Sequence, residues 1–182
     1  MNWCSAPQRA TSVSMISRQP ARVSGPARPI SRVLRSRDMQ DAFKLKFRQS
    51  LETRFGRSID QIDLYPIPIL VCDLPGYQIG IHADVMAKAI TVQFYLPKDA
   101  SQRHIGTVFH YGRTGPEAER TIAMDFMPAS GYAFAVMERE SWHSARRTTE
   151  ADGERWTLML TYYVQDTPKA WFKRSVCSST PS

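Results

Sequence analysis

From residue 67 onward the apolar residues of this chain arrive in short runs separated by turn-forming clusters. No stretch between them carries helical spacing. The runs are 67–73 (IPILVCD), 77–82 (YQIGIH), 89–96 (AITVQFYL), 105–110 (IGTVFH), 121–126 (TIAMDF), 132–137 (YAFAVM) and 155–164 (RWTLMLTYYV). Between them lie DLPG, LPKDASQ, GRTGPEAE, MPASG and TTEADGE, rich in the Gly, Pro, Asp and Ser that reverse a chain. Many short strands with no helices between them restrict this region to a mainly β architecture, a sandwich or jelly roll.

A different period precedes it. In 38–55 (DMQDAFKLKFRQSLETRF), Phe43, Phe47, Leu51 and Phe55 recur every four residues and share one stripe. This predicts one amphipathic helix packed on the sheet, with Asp38 placed to cap its start and Gly56 to end it. Residues 1–37 are rich in Arg, Ser, Pro and Ala and lack periodic apolar spacing, so they are expected to form a disordered basic extension. That composition is open to three explanations: a transit peptide, a tail for an anionic partner, or a start codon placed upstream of Met39. The expected organisation is therefore an extension over 1–37, one domain over 38–172, and a flexible tail over 173–182.

At 182 residues, with 42% hydrophobic and 23% charged residues, the chain can bury one sizeable core. No apolar run approaches the roughly 18 residues of a membrane-spanning helix. The net charge of +7 is concentrated rather than spread. Residues 1–37 hold seven arginines and no acid or lysine, which leaves 17 basic and 17 acidic residues in 38–182. A near-neutral domain argues against a nucleic-acid face, and no membrane partner is expected. The three cysteines (Cys4, Cys72, Cys177) are far apart and form no metal-binding pair, which fits a reducing compartment.

The chemistry concentrates in Gly80-Ile81-His82-Ala83-Asp84. On an extended segment residues i and i+2 face one side, so His82 and Asp84 are expected to point together. A third metal ligand must come from elsewhere, and His104, His110 and His143 are the candidates. Two histidines and one carboxylate, with open positions on the metal, form the facial triad of non-haem Fe(II) oxygenases. Arg155 and Thr157 repeat the i, i+2 relation, and a guanidinium fork beside a hydroxyl suits a carboxylate ligand.

These pieces come in an ordered set: YQIGIHAD, AITVQFYLP, HIGTVFH, GYAFAVMERESWHSA and ERWTLMLTYYV, across about residues 65–165. The set resembles the 2-oxoglutarate and Fe(II)-dependent oxygenases, most closely their prolyl-hydroxylase-like branch. The resemblance implies a double-stranded β-helix, a jelly roll of cupin type, with a packing N-terminal helix. It implies His82, Asp84 and His143 as iron ligands and catalytic centre. Arg155 would meet the distal carboxylate of 2-oxoglutarate, supported by Thr157 and Tyr95. His104 and His110 are then structural, and Trp142 packs beside the site. The implied activity is a dioxygenase using Fe(II), 2-oxoglutarate and O2, which hydroxylates a small-molecule or peptide substrate and releases succinate and CO2. A non-catalytic jelly-roll module that binds a metal or a sugar is the alternative, and a degenerate oxygenase serving in interactions is a third. Arg113 and Arg120, in HYGRTGPEAER, are expected to be solvated charges. The expected location is the cytoplasm, or an organelle if residues 1–37 are a transit peptide. Oligomeric state and substrate identity are not legible.

Overall fold

The computed structural model describes residues 27–164. Most of the expected extension and the whole of the expected tail, 173–182, lie outside the described residues. Three helices come first: α1 Ala27–Leu34, α2 Arg37–Lys46 and α3 Arg48–Phe55. The expectation of disorder through residue 37 thus does not hold for Ala27–Leu34, whose Leu34 is buried against the core. The predicted helix over 38–55 is two, interrupted at Phe47, whose backbone (φ −106°, ψ 19°) departs from helical values. The apolar stripe survives the interruption, because Phe47 N–H still donates to Phe43 and Leu51 N–H to Phe47. Ser36, rather than Asp38, caps α2 by accepting from Met39 N–H. Gly56 ends α3 in the left-handed region (φ 63°), where a residue without Cβ carries no penalty.

Eight strands follow: β1 Leu64–Asp73, β2 Ile79–His82, β3 Lys88–Leu96, β4 Thr107–His110, β5 Thr121–Ala123, β6 Gly131–Ala135, β7 His143–Ala145 and β8 Arg155–Val164. A short helix, α4 Pro116–Glu119, lies between β4 and β5. The seven strands expected from the sequence are all present, six with shifted ends and 155–164 as expected; the three-residue β7 is the addition. Pairing is antiparallel in two four-stranded sheets, β1-β8-β3-β6 and β2-β7-β4-β5. Strands 1, 8, 3 and 6 in one sheet and 2, 7, 4 and 5 in the other make the jelly-roll winding of a double-stranded β-helix.

The first sheet has two different faces. Leu64, Ile90, Val92, Leu160, Tyr162 and Val164 point outward and form the main core with Leu34, Leu51, Phe43, Phe47 and Phe55 of the helices. The helices do not cover that whole face, and Leu70, Leu96 and Trp156 remain exposed at its far end. The opposite face looks toward the second sheet. Tyr95, Ile105 and Phe126 pack there as a second, smaller core. The approach of backbone at that end is close: a Cβ on Gly106 would lie 1.8 Å from the Met124 carbonyl oxygen, so β4 can start only with glycine before it. Among the described residues no helix is long and apolar enough to cross a membrane.

Candidate metal centre

A cavity of about 200 Å³ lies between the two sheets. That volume is on the scale of a small ligand. His82, Asp84, His143, Lys88, Asp73 and Arg155 all line it.

His82 closes β2 and His143 opens β7, and the two are register partners across the antiparallel pair. That pairing, between positions far apart in the chain, brings the imidazole centroids to 4.3 Å. Asp84 reaches them differently from the strand argument. It lies just past the end of β2, in the loop before β3, and joins the histidines through that turn. Single ligand atoms of His82, Asp84 and His143 lie within 4.8 Å of one another, the one such group among the described residues.

The three side chains are aimed by their own surroundings. His82 Nδ1 is 2.9 Å from the Gly80 carbonyl and His143 Nδ1 is 2.9 Å from the Ser141 carbonyl. A carbonyl can only accept, so each Nδ1 carries the proton and each Nε2 keeps a lone pair for a cation. Asp84 Oδ2 accepts from Thr91 Oγ1 at 2.6 Å, and Oδ1 from Lys88 Nζ at 2.5 Å. Burial opposes ionisation of Asp84, but Lys88, Thr91 and nearby His143 together hold its carboxyl below the ordinary carboxylate value. Burial also pushes His143 below the ordinary histidine value, and His82 adds to that, against the hydrogen bond to Ser141. The centre is thus biased toward an ionised carboxylate and a neutral imidazole, the forms that bind metal. Phe109 and Phe134 flank His143 with ring centroids 6.1 and 5.1 Å away and shield it from water.

A helix supports this arrangement from behind. Arg54 of α3 donates to the backbone carbonyls of Lys88 (2.7 Å), Val136 and Met86. It thereby ties the β2–β3 connection, which carries Asp84, to the helical layer.

Arg155, 3% exposed, lines the same cavity. Its Nε donates to the Ile105 carbonyl at 2.9 Å and its Nη1 to Asp73 Oδ2 at 2.6 Å. Its guanidinium lies over the Phe126 ring at 5.1 Å. Asp73 and Arg155 are register partners at the facing ends of β1 and β8. Burial pushes the Asp73 carboxyl up from its ordinary value, against the pull of Arg155. Tyr95 and Thr157 are not among the cavity-lining residues. Tyr95 Oη accepts from Thr107 N–H at 3.0 Å, and Thr157 Oγ1 accepts from Gln93 Nε2 at 3.2 Å. Gln93 in turn accepts from Tyr132 Oη at 2.7 Å, so these two expected ligand-binding groups form part of the cavity's hydrogen-bonded support.

The remaining histidines are apart from the centre. His104 is exposed and pairs with Asp152 at 2.9 Å. His110 bonds the Ala118 carbonyl and Ser144 Oγ. Trp142 donates to the Arg139 carbonyl at 2.9 Å. Arg113 and Arg120 are exposed and lie over the rings of Trp142 and Tyr111. Sequence reasoning missed Asp73, Lys88, Thr91 and Gln93. For Thr91 and Gln93 a signal existed: they are polar residues two apart within the apolar run of β3. Asp73 stood at the end of a predicted strand and gave none.

No protein-family model matches the chain, and no curated protein matches it. Among solved structures, a prolyl-4-hydroxylase of Pseudomonas putida is similar with a TM-score of 0.53 at 14% identity, over 76% of this chain and 69% of that one. A protein of Bacillus endospore appendages covers 57% of this chain and 90% of its own at 17% identity, but its TM-score of 0.32 is too low to carry an argument. The first similarity shows a shared fold: this chain is wound like that hydroxylase, as a jelly roll carrying a His-Asp-His cluster able to hold a metal.

Proposed function

We propose that the protein is an Fe(II)- and 2-oxoglutarate-dependent dioxygenase that hydroxylates a small molecule or an exposed peptide residue. The observation that carries this reading is the convergence of His82, Asp84 and His143, with both Nε2 atoms free for a cation, on the wall of one cavity between the sheets. Two imidazoles and one carboxylate fit Fe(II) and leave the remaining coordination positions open. The order of the sequence motifs and the hydroxylase-like winding support it.

In this reading His82, Asp84 and His143 hold the iron. When bound, iron with 2-oxoglutarate and O2 supplies the oxidising power for C–H hydroxylation, with succinate and CO2 as co-products. The chain's own contributions are geometric and electrostatic. Thr91 fixes the plane of the Asp84 carboxylate, and Lys88 balances its charge. Carbonyls of Gly80 and Ser141 fix the imidazole tautomers. Arg155 faces the distal carboxylate of 2-oxoglutarate, held by the Ile105 carbonyl and by Asp73, with the network of Thr107, Gln93, Tyr95 and Thr157 packed nearby. Phe109, Phe134 and Tyr132 exclude water from the metal side.

One observation favours a second reading, a metal-binding jelly roll without turnover: Arg155 already has a carboxylate partner in Asp73. An anaerobic titration of metal-free protein with Fe(II), then 2-oxoglutarate, separates the two. The dioxygenase gives a visible metal-to-ligand charge-transfer band that Arg155→Ala weakens. Iron binding with no band leaves the module.

A further inference from the structure

The guanidinium that would greet the co-substrate is not an uncommitted cation. Arg155 has two of its donor nitrogens engaged inside the protein, Nε on the Ile105 carbonyl and Nη1 on Asp73 at 2.6 Å. Asp73 is itself buried and lines the same cavity. Both residues stand in one cross-strand register pair, so neither can leave the other by a simple rotation of a loop. A carboxylate arriving from the cavity therefore meets a guanidinium whose charge is already balanced, with a second carboxylate beside it. Beside buried groups such as these, like charges so placed oppose each other strongly.

We infer that Asp73 is a specificity-determining residue that competes with the distal carboxylate of the co-substrate for Arg155. It lowers affinity for dicarboxylic 2-oxo acids and lets the pocket accept a distal group that is polar but neutral. This inference rests on the dioxygenase reading above, because it assumes that a 2-oxo acid enters with its keto end toward the metal. It does not follow from that reading, which needs only the arginine.

The test measures binding, not turnover. Full-length protein loaded with Mn(II) is titrated by calorimetry with three probes. These are 2-oxoglutarate, its distal amide 2-oxoglutaramate, and pyruvate, which has no distal group. Wild-type protein is expected to prefer the carboxylate over the amide by no more than about threefold, because the charge it would meet is already neutralised. Asp73→Asn keeps the shape and an oxygen acceptor for Nη1 but removes the competing charge. It is expected to bind 2-oxoglutarate about tenfold or more tightly, with the amide and pyruvate little changed. Binding of 2-oxoglutarate by Asp73→Asn alone would be the same result in extreme form. A wild-type preference for the carboxylate of about 100-fold would overturn the inference without recourse to any variant. So would an Asp73→Asn protein that binds 2-oxoglutarate more weakly than wild type, since Asp73 would then be positioning Arg155 rather than competing for it. In both of those cases 2-oxoglutarate still binds and the dioxygenase reading stands. If Mn(II) binds but no probe binds either protein, the dioxygenase reading falls and this inference falls with it.

Discussion

The two faces of the β1-β8-β3-β6 sheet are built from alternate residues of the same strands, yet they do opposite things. On β8, Leu160, Tyr162 and Val164 point into the helix-covered core, while Arg155 and Met159 line the cavity, with Thr157 against Gln93. On β3, Ile90 and Val92 join the core, while Thr91 and Gln93 carry hydrogen bonds toward the site. The outer face is stabilised by apolar burial, which is non-directional and tolerant of shape. The inner face buries charge and hydroxyl groups, each of which needs a named partner to offset its desolvation. One strand thus contributes stability with every second residue and chemistry with the others.

That separation predicts what each substitution damages. The largest effect falls on the inner face: His143→Ala or Asp84→Ala is expected to abolish metal-dependent succinate formation, while circular dichroism shows the metal-free protein still folded at 25 °C. Near-wild-type succinate from either variant would remove the centre from its proposed role. Next comes the outer face. Leu160→Ala, at a fully buried position, is expected to cost about 2–5 kcal/mol in urea unfolding. Metal affinity of the folded fraction should be unchanged; a joint loss would show that the faces are not independent.

A smaller effect concerns pH. His143 and Asp84 both sit below their ordinary values in the folded protein, so the folded state resists protonation that the unfolded chain accepts. Their contribution is fully present above the ordinary histidine value of about 6.5 and is lost as pH falls, first through His143 and then, below about 4, through Asp84. Melting of the metal-free protein at pH 7 and pH 5 should show this drop, and His143→Gln should reduce it. The smallest effect is a gain. Tyr162 Oη is the one buried side-chain polar atom among the described residues with no hydrogen-bond partner. Tyr162→Phe, on the outer face, is expected to stabilise the protein by about 1 kcal/mol with metal binding unaltered. A loss of stability on chemical denaturation would mean that the hydroxyl has a partner after all.

Much of this was legible in the residues. Short apolar runs between turn-forming clusters marked seven of eight strands, because a strand buried on a sheet face is selected for apolar residues and the chain reverses where Gly, Pro, Asp and Ser allow it. The strand missed, His143–Ala145, is three residues long and carries too few positions for a period to show. The helical stripe of Phe43, Phe47, Leu51 and Phe55 was legible for the same local reason. The break at Phe47 and the cap at Ser36 were not, since helix ends depend on competing local hydrogen bonds and on what the helix packs against.

His82 and Asp84, like Arg155 and Thr157, could be named from their i, i+2 spacing, whereas His143 was singled out from three candidate histidines only by the resemblance to the oxygenases. The sequence by itself therefore determined the alternation of faces, the mainly β class and the residue types available for chemistry, because these depend on neighbours a few positions apart; the winding was implied only by the resemblance to the oxygenases. Only the tertiary structure decided that His82 lies opposite His143, that Lys88 and Thr91 grip Asp84, and that Asp73 lies opposite Arg155. The two cross-strand pairs are set by strand register, and the grip on Asp84 by the path of the β2–β3 loop. Register is fixed by the summed fit of whole sheet faces, and no single stretch of sequence contains it.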